Sequence, residues 1–242
     1  MDLLEPSIRQ ELAAWEAKMQ KKPTLLNRAS KSLQNRINQA IPEKVHSVIS
    51  NAIKHMTRAV ATGSEWTSSS PPRGLSFTVR EQLAREKINT YRNTAATEGA
   101  ITGAGGFLLG LADFPIWLSL KIKMLFEIAS AYGIDVRDMR ERIFILHIFQ
   151  LAFSSVEHRN RVFQTLKNWK SEKENLPKDI NQFDWRTFQQ EYRDYIDVAK
   201  LLQLVPGIGA VVGAYVNHRL TEKLGVTAMN AYRMRWFEND IK

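Results

Sequence analysis

Asp113 is the side chain in this sequence that most needs a chemical explanation. It is the single charge between Glu98 and Lys121, and a carboxylate in so apolar a neighbourhood must be paired, used as a cap, or neutral. As a catalytic acid or base it would need partners, and Glu98, Glu127 and His147 are the nearest in sequence. Capping is the simpler reading, because Asp113-Phe-Pro115 has the form of a helix start, an oxygen at the cap and a proline in the first turn. His147 lies in Ile145-Leu-His-Ile-Phe149, the setting of a hydrogen-bonded core histidine. The five histidines, His46, His55, His147, His158 and His218, form no His-x-x-x-His or His-Glu-x-x-His pair, so no metal site is expected. Cysteine is absent, which removes disulfides, thiolate zinc sites and cysteine nucleophiles together.

Glycine supplies the next candidate chemistry. Thr102-Gly-Ala-Gly-Gly106 invites comparison with phosphate-cradling loops, but no strand precedes it and Leu108 stands where a dinucleotide fingerprint needs its third glycine. No Lys-Ser/Thr follows either, so a Walker loop is excluded. The alternative is close packing: Gly99/Gly103, Gly106/Gly110 and Gly209/Gly213 are each four apart and would line helix faces where two backbones approach. The segments holding them, Glu98 to Lys121 and Leu201 to Asn217, approach the length of a membrane span. Asp113 and Pro115 interrupt one, and Gln203 and Pro206 thin the other. Buried helical hairpins packed through their glycine faces are the first expectation, and membrane-dipping hairpins the second.

Charge gives a stronger signal. The formal net charge is +9, and it is concentrated: Lys18, Lys21, Lys22, Arg28, Lys31, Arg36, Lys44, Lys54 and Arg58 face only Glu43 between residues 17 and 62. Such a region seeks an anionic surface. It contains no Phe, Tyr or Trp on which bases would stack, which argues against nucleic acid. An anionic membrane surface suits it, each Lys or Arg near the leaflet adding about 1 kcal/mol. A solvated basic face whose apolar side packs on the core explains it equally.

The elements that must position these residues are all helical. With 44% apolar and 24% charged residues the chain has globular composition, and period-two alternation is nowhere sustained, so the fold class is all-α. A short helix is expected from Ser7 to about Lys21 and a basic amphipathic helix over Leu25 to Ile37. Pro42 opens a second amphipathic helix with Val45, Val48, Ile49, Ala52, Ile53, Met56 and Val60 on one face, closed by Gly63. The run 63–76, with Ser68-Ser-Ser-Pro-Pro-Arg-Gly74, reads as a linker between an N-terminal basic region (1–62) and a helical core (77–242). Within that core, helices are expected from Thr78 to Thr97 and from Asp113 to Tyr132, the latter ended by Gly133. Asp135 would cap another, containing Ile143 to Ser154. Lys167 to Asp184 reads as a charged connection, Trp185 to Leu202 as a long amphipathic helix, and Asn217 to Glu238 as a last helix interrupted by Gly225. Met1-Asp-Leu-Leu-Glu-Pro6 lacks the basic start and apolar run of a secretory signal, which sets the expected location as cytoplasmic.

Taken in order, Glu98-Gly-Ala-Ile-Thr-Gly-Ala-Gly-Gly106, Gly110-Leu-Ala-Asp-Phe-Pro115, Ala131-Tyr-Gly-Ile-Asp135 and Val205-Pro-Gly-Ile-Gly-Ala-Val-Val-Gly-Ala-Tyr-Val-Asn217 resemble the EcsC family. Ile41-Pro-Glu-Lys-Val-His46 and Phe188-Gln-Gln-Glu-Tyr-Arg-Asp-Tyr-Ile-Asp197 add to the likeness, which runs from about Ile41 to the C-terminus. The matching positions include Glu98, Gly103, Gly105, Gly106, Gly110, Asp113, Pro115, Tyr132, Asp135, Pro206, Gly207, Gly209, Gly213 and Asn217. The resemblance carries over no catalytic residue and no cofactor. It implies a place beside an ABC transporter of ATPase and membrane subunits, in a system linked to protein secretion, competence and regulated membrane proteolysis. The resulting expectation is a non-catalytic accessory protein on the inner face of the membrane, with ABC transporter subunits as partners. The alternative is a soluble all-α enzyme or carrier that holds an apolar ligand between the two glycine-rich segments.

Overall fold

The computed structural model describes residues 5–21, 43–63, 74–102, 114–177, 180–182, 184, 186–187, 190 and 210–241. All of its regular elements are helices: α1 (Glu5–Gln20), α2 (Glu43–Thr62), α3 (Phe77–Thr102), α4 (Phe114–Ala131), α5 (Met139–Phe153), α6 (Val156–Lys167), α7 (Trp169–Glu172) and α8 (Ala210–Phe237). Short 3-10 turns occur at Lys173–Asn175 and Ile180–Gln182. The all-α expectation holds.

The two longest helices, α3 and α8, lie along one another and form the spine. α4 packs on both, α5 packs on α8, and α2 lies across α4 and α5, while α1 rests on α6 and α8. Burial concentrates in α4 and α5. Ile122, Leu125, Ile128, Ile143, Phe144, Leu146 and Phe149 are completely enclosed, each such side chain contributing about 1.5–3 kcal/mol relative to exposure. One aromatic chain joins the layers. Tyr132 stacks on Tyr232 with ring centres 5.3 Å apart, Tyr232 meets Phe144 at 5.4 Å, and Phe144 meets Trp169 at 5.1 Å.

Several boundaries follow from local chemistry. Gly63 takes φ +70 at the end of α2, a conformation open to glycine at no steric cost. Gly133 ends α4 at φ +87, its N–H bonding to Ser130 O at 2.8 Å while Ile134 N–H bonds to Ala129 O at 3.0 Å. That pair of bonds is a Schellman motif and satisfies carbonyls the last turn leaves open.

Four expectations are corrected. Asp138, not Asp135, caps α5, accepting from Arg140 N at 2.8 Å; Asp135 instead accepts from Arg137 N within the preceding turn. The helix through His147 stops at Phe153, because Ser154 and Ser155 both take extended ψ values, and α6 begins after them. The expected charged connection after Lys167 starts as the short helix α7, whose Trp169 is 1% exposed. Finally, Gly225 does not interrupt α8. A Cβ there would lie 2.5 Å from Ile88 Cγ1, so the glycine permits the closest approach of α3 and α8.

Candidate functional site: a basic surface over an ion-paired core

The amphipathic helix α2 places its two faces as its period requires. Val45, Ile49, Ala52, Ile53, Met56 and Val60 are buried against α4 and α5, and Lys44, Lys54 and Arg58 are exposed. The apolar face is therefore consumed by the core. Lys18 on α1 and Lys21 just after it are exposed as well. Lys22, Arg28, Lys31 and Arg36, with the expected helix over Leu25 to Ile37, lie outside the described residues, as does most of the one expected over Trp185 to Leu202.

The same holds for Gly103, Gly105, Gly106, Gly110, Asp113, Pro206, Gly207 and Gly209. Glu98 falls within α3 and Gly213 within α8. Pro115 occupies the first turn of α4, as the missing N–H of proline favours. Asn217 is 2% exposed on α8. Asp135 is exposed and chelated by Arg137; hydrogen bonds from that guanidinium and from Arg137 N–H hold its carboxyl down at about 2.

Tyr132 leads to the network that sequence reasoning missed. Its hydroxyl donates to Glu81, and Glu81 accepts two bonds from Arg233, Nε at 2.9 Å and Nη2 at 2.6 Å. The side chains of Glu81 and Arg233 are 5% and 4% exposed, so this is a buried bidentate pair. Arg233 Nη1 also reaches Asn230 at 3.1 Å and Glu11 at 3.2 Å. Burial raises the Tyr132 hydroxyl well above its usual value, and the neighbouring Glu81 carboxylate adds to the shift. Burial works to lower Arg233, but Glu81 outweighs it and the guanidinium is held charged. A second pair repeats the design: Arg235 clasps Glu141 at 2.5 and 2.9 Å and Asp240 at 2.6 Å. Both networks fasten helices distant in sequence.

The candidate acid and base groups have separate partners. Glu127 accepts from Tyr91 at 2.7 Å and pairs with Lys87 at 3.0 Å. Burial pushes its carboxyl up, but those bonds prevail and keep it below the usual range. His147 is half-buried; it shares a hydrogen bond with Gln150 at 3.0 Å and meets Trp169 edge-on, so the expected hydrogen bond is present. Burial pulls its pKa down to about 4. Among the described residues no group of histidines and carboxylates is placed to hold a metal, and no helix is long and apolar enough to cross a membrane.

A cleft of about 320 Å³ opens where α1, the α5–α6 junction and α8 meet. Trp15, Met19, Leu151, Ala152 and Val226 form its apolar wall, and Lys18, Arg159 and Lys223 bring positive charge. Arg159 donates to Met19 O at 3.3 Å and Lys21 O at 3.1 Å, closing the end of α1. Lys223 Nζ donates to Ala152 O at 2.7 Å, at the end of α5. Lys18 belonged to the expected basic set; Arg159 and Lys223 did not, since nothing local in the sequence joins residues so far apart.

An all-helical protein with an ion-paired core and exposed cationic helices is thus the class that fold and surface define. The chain belongs to the EcsC protein family, whose model matches residues 7–237. It is 44% identical to Protein EcsC of Bacillus subtilis (strain 168), over 94% of each chain. It is also 28% identical to the uncharacterised protein YdbA of the same organism, over 93% of this chain and 90% of that one. No solved structure matches it.

Proposed function

We propose that this protein is a non-catalytic accessory factor that adsorbs to the anionic inner face of the cell membrane and works beside an ABC transporter in a secretion-related process. The observation that carries the reading is the division of α2, with its apolar face in the core and Lys44, Lys54 and Arg58 outward. A helix so arranged has no apolar face left to insert. Its attraction to lipid is electrostatic, screened by salt over a Debye length of about 10 Å at 0.1 M. Lys18 and Lys21 extend the cationic surface. The transporter is the partner that membership of the EcsC family suggests.

The test is cosedimentation with vesicles. Binding to phosphatidylglycerol-containing vesicles that falls with salt, and no binding to pure phosphatidylcholine, is the expected result. Cosedimentation indifferent to lipid charge would overturn it. In fractionated cells, the membrane-bound protein should leave with a high-salt wash; resistance to carbonate would mean insertion instead.

A further inference from the structure

We propose that the end of the bundle where α4 and α8 begin enters the interfacial layer of an anionic membrane, with Ile116 outermost. Helix direction brings the two most exposed large apolar side chains of the described residues to that end. Phe77 stacks on Trp236, Glu81 binds Arg233 and Arg92 binds Glu222, so α3 and α8 run antiparallel. Arg80 donates to Ala131 O and Tyr91 to Glu127, so α3 and α4 are antiparallel too. α4 and α8 therefore start together. Ile116 is 64% exposed in the first turn of α4, and Tyr215 is 59% exposed in the second turn of α8. Tyr91 and Arg92 are neighbours, which sets their partners Glu127 and Glu222 at one level. From that level, at about 1.5 Å per residue, Ile116 lies about 16 Å toward the end and Tyr215 about 10 Å.

The order of side chains along that axis follows the order of polarity at a bilayer surface. Ile116 is wholly apolar, and Tyr215, about 6 Å behind it, has an apolar ring with a polar tip, the kind of side chain enriched at membrane interfaces. The Arg219 guanidinium stands 5.5 Å from the centre of that ring. Arg219 on α8 and Lys123 on α4 are both exposed, at roughly 10–12 Å behind Ile116. An apolar face at an interface sinks about 5–10 Å into the boundary between headgroups and acyl chains. Ile116 and the Tyr215 ring then meet acyl chains, while both cations stay level with the phosphates. Glu127 attracts Lys123 but is bound by Lys87 and Tyr91, and Glu222 is bound by Arg92. The sequence joined to this end is itself uncharged: residues 103–112, which follow α3, and 201–209, which precede α8, contain no Asp, Glu, Lys or Arg. Two apolar side chains attach a protein only marginally, and a stable hold takes a second signal. The contact thus rests on the electrostatic adsorption proposed above, and it still releases in high salt.

The chain has no cysteine, so Ile116→Cys or Ser76→Cys carries a single environment-sensitive fluorophore. Ser76 is exposed just before α3, at the opposite end of the bundle. The probes are vesicles of phosphatidylglycerol and phosphatidylcholine, with and without a lipid bearing a nitroxide on its acyl chain. Emission from position 116 should shift to the blue and be quenched by the nitroxide, and emission from position 76 should do neither. Ile116→Gln combined with Tyr215→Gln leaves the charge unchanged. It should weaken vesicle binding by about tenfold and preserve its salt dependence, with helicity checked by circular dichroism. In protein that cosediments with the vesicles, quenching absent at 116, quenching equal at both positions, or unchanged affinity of the double variant would overturn this contact and leave adsorption standing. Failure to cosediment with any anionic vesicle would overturn both.

Discussion

Replacing Gly225 by alanine sets two opposing effects against each other, and the structure decides between them. In a free helix the change would stabilise by about 1 kcal/mol, since glycine is the costlier residue in a helix interior. Here the new methyl would stand 2.5 Å from Ile88 Cγ1, 2.8 Å from Cδ1 and 3.0 Å from Cγ2, where carbon contacts prefer about 3.5–4.0 Å. Ile88 is 5% exposed and sits inside α3. As a β-branched residue in a helix it has one strongly preferred rotamer, and rotation that withdraws one γ-carbon advances the other. The helices must therefore separate, an overpacking cost of about 1–3 kcal/mol that extends along the whole α3–α8 contact. The upper part of that range applies, because both γ-carbons clash, so the net change is a loss of about 1–2 kcal/mol. Urea unfolding followed by circular dichroism measures it, with a melting temperature about 2–8 °C lower as a second readout. Ile88→Ala alone should cost about 2–5 kcal/mol. In the double variant the alanine methyl fills part of that cavity, giving a favourable coupling of about 1 kcal/mol or more. A Gly225→Ala protein as stable as the parent, or more so, would refute the claim that this glycine sets the spine's spacing.

Glu81→Gln leaves Arg233 charged and buried without its bidentate partner, a loss of about 3 kcal/mol in urea unfolding; the contact with half-exposed Glu11 keeps the value from rising further, and a loss below about 1 kcal/mol would show that the pair is not structural. His147, depressed to about 4, titrates near 6.5 when unfolded, so between those values the unfolded chain binds the extra proton and stability falls as pH falls. His147→Gln should remove up to about 3 kcal/mol of that acid dependence, and unchanged unfolding curves between pH 7 and 4 in the two proteins would refute the assignment. The combined change of Lys44, Lys54 and Arg58 to Gln should weaken binding to phosphatidylglycerol vesicles by about 3 kcal/mol, roughly a hundredfold, at low salt, and vesicle binding unaffected by it would place the attachment elsewhere.

Much of what depends on helical period or on a single turn was legible in the sequence, although the cap of α5, at Asp138 rather than Asp135, was not. The buried stripe of α2, its stop at Gly63, the end of α4 at Gly133 and the hydrogen bond of His147 each require only neighbours within a few residues, and each stands where periodicity and turn chemistry put it. The ion-paired core was not legible. Glu81 and Arg233 are 152 positions apart, and each, read locally, is a helix charge of the kind that usually faces solvent. Trp169 was lost for a related reason: the charged residues after it suggested a surface connection, while its indole fills the core beside Phe144. Gly225 was misread because a lone glycine in a helical pattern signals either a break or a close contact, and only the facing Ile88 distinguishes them.

The motif Ala131-Tyr-Gly-Ile-Asp135, one of those by which the chain resembles its family, has a complete architectural explanation. Gly133 supplies the left-handed residue of the Schellman turn, and a side chain there would meet Arg80 Nη1 at 2.5 Å. Arg80 in turn donates to Ala131 O at 3.3 Å and tethers α3 to the end of α4. Tyr132 joins the Glu81–Arg233 pair, and Asp135 neutralises Arg137 at the surface. Ala131, Tyr132 and Gly133 are engaged in holding α3, α4 and α8 together, while Asp135 is paired with Arg137 within its own turn. A motif so occupied marks a shared fold rather than a shared reaction.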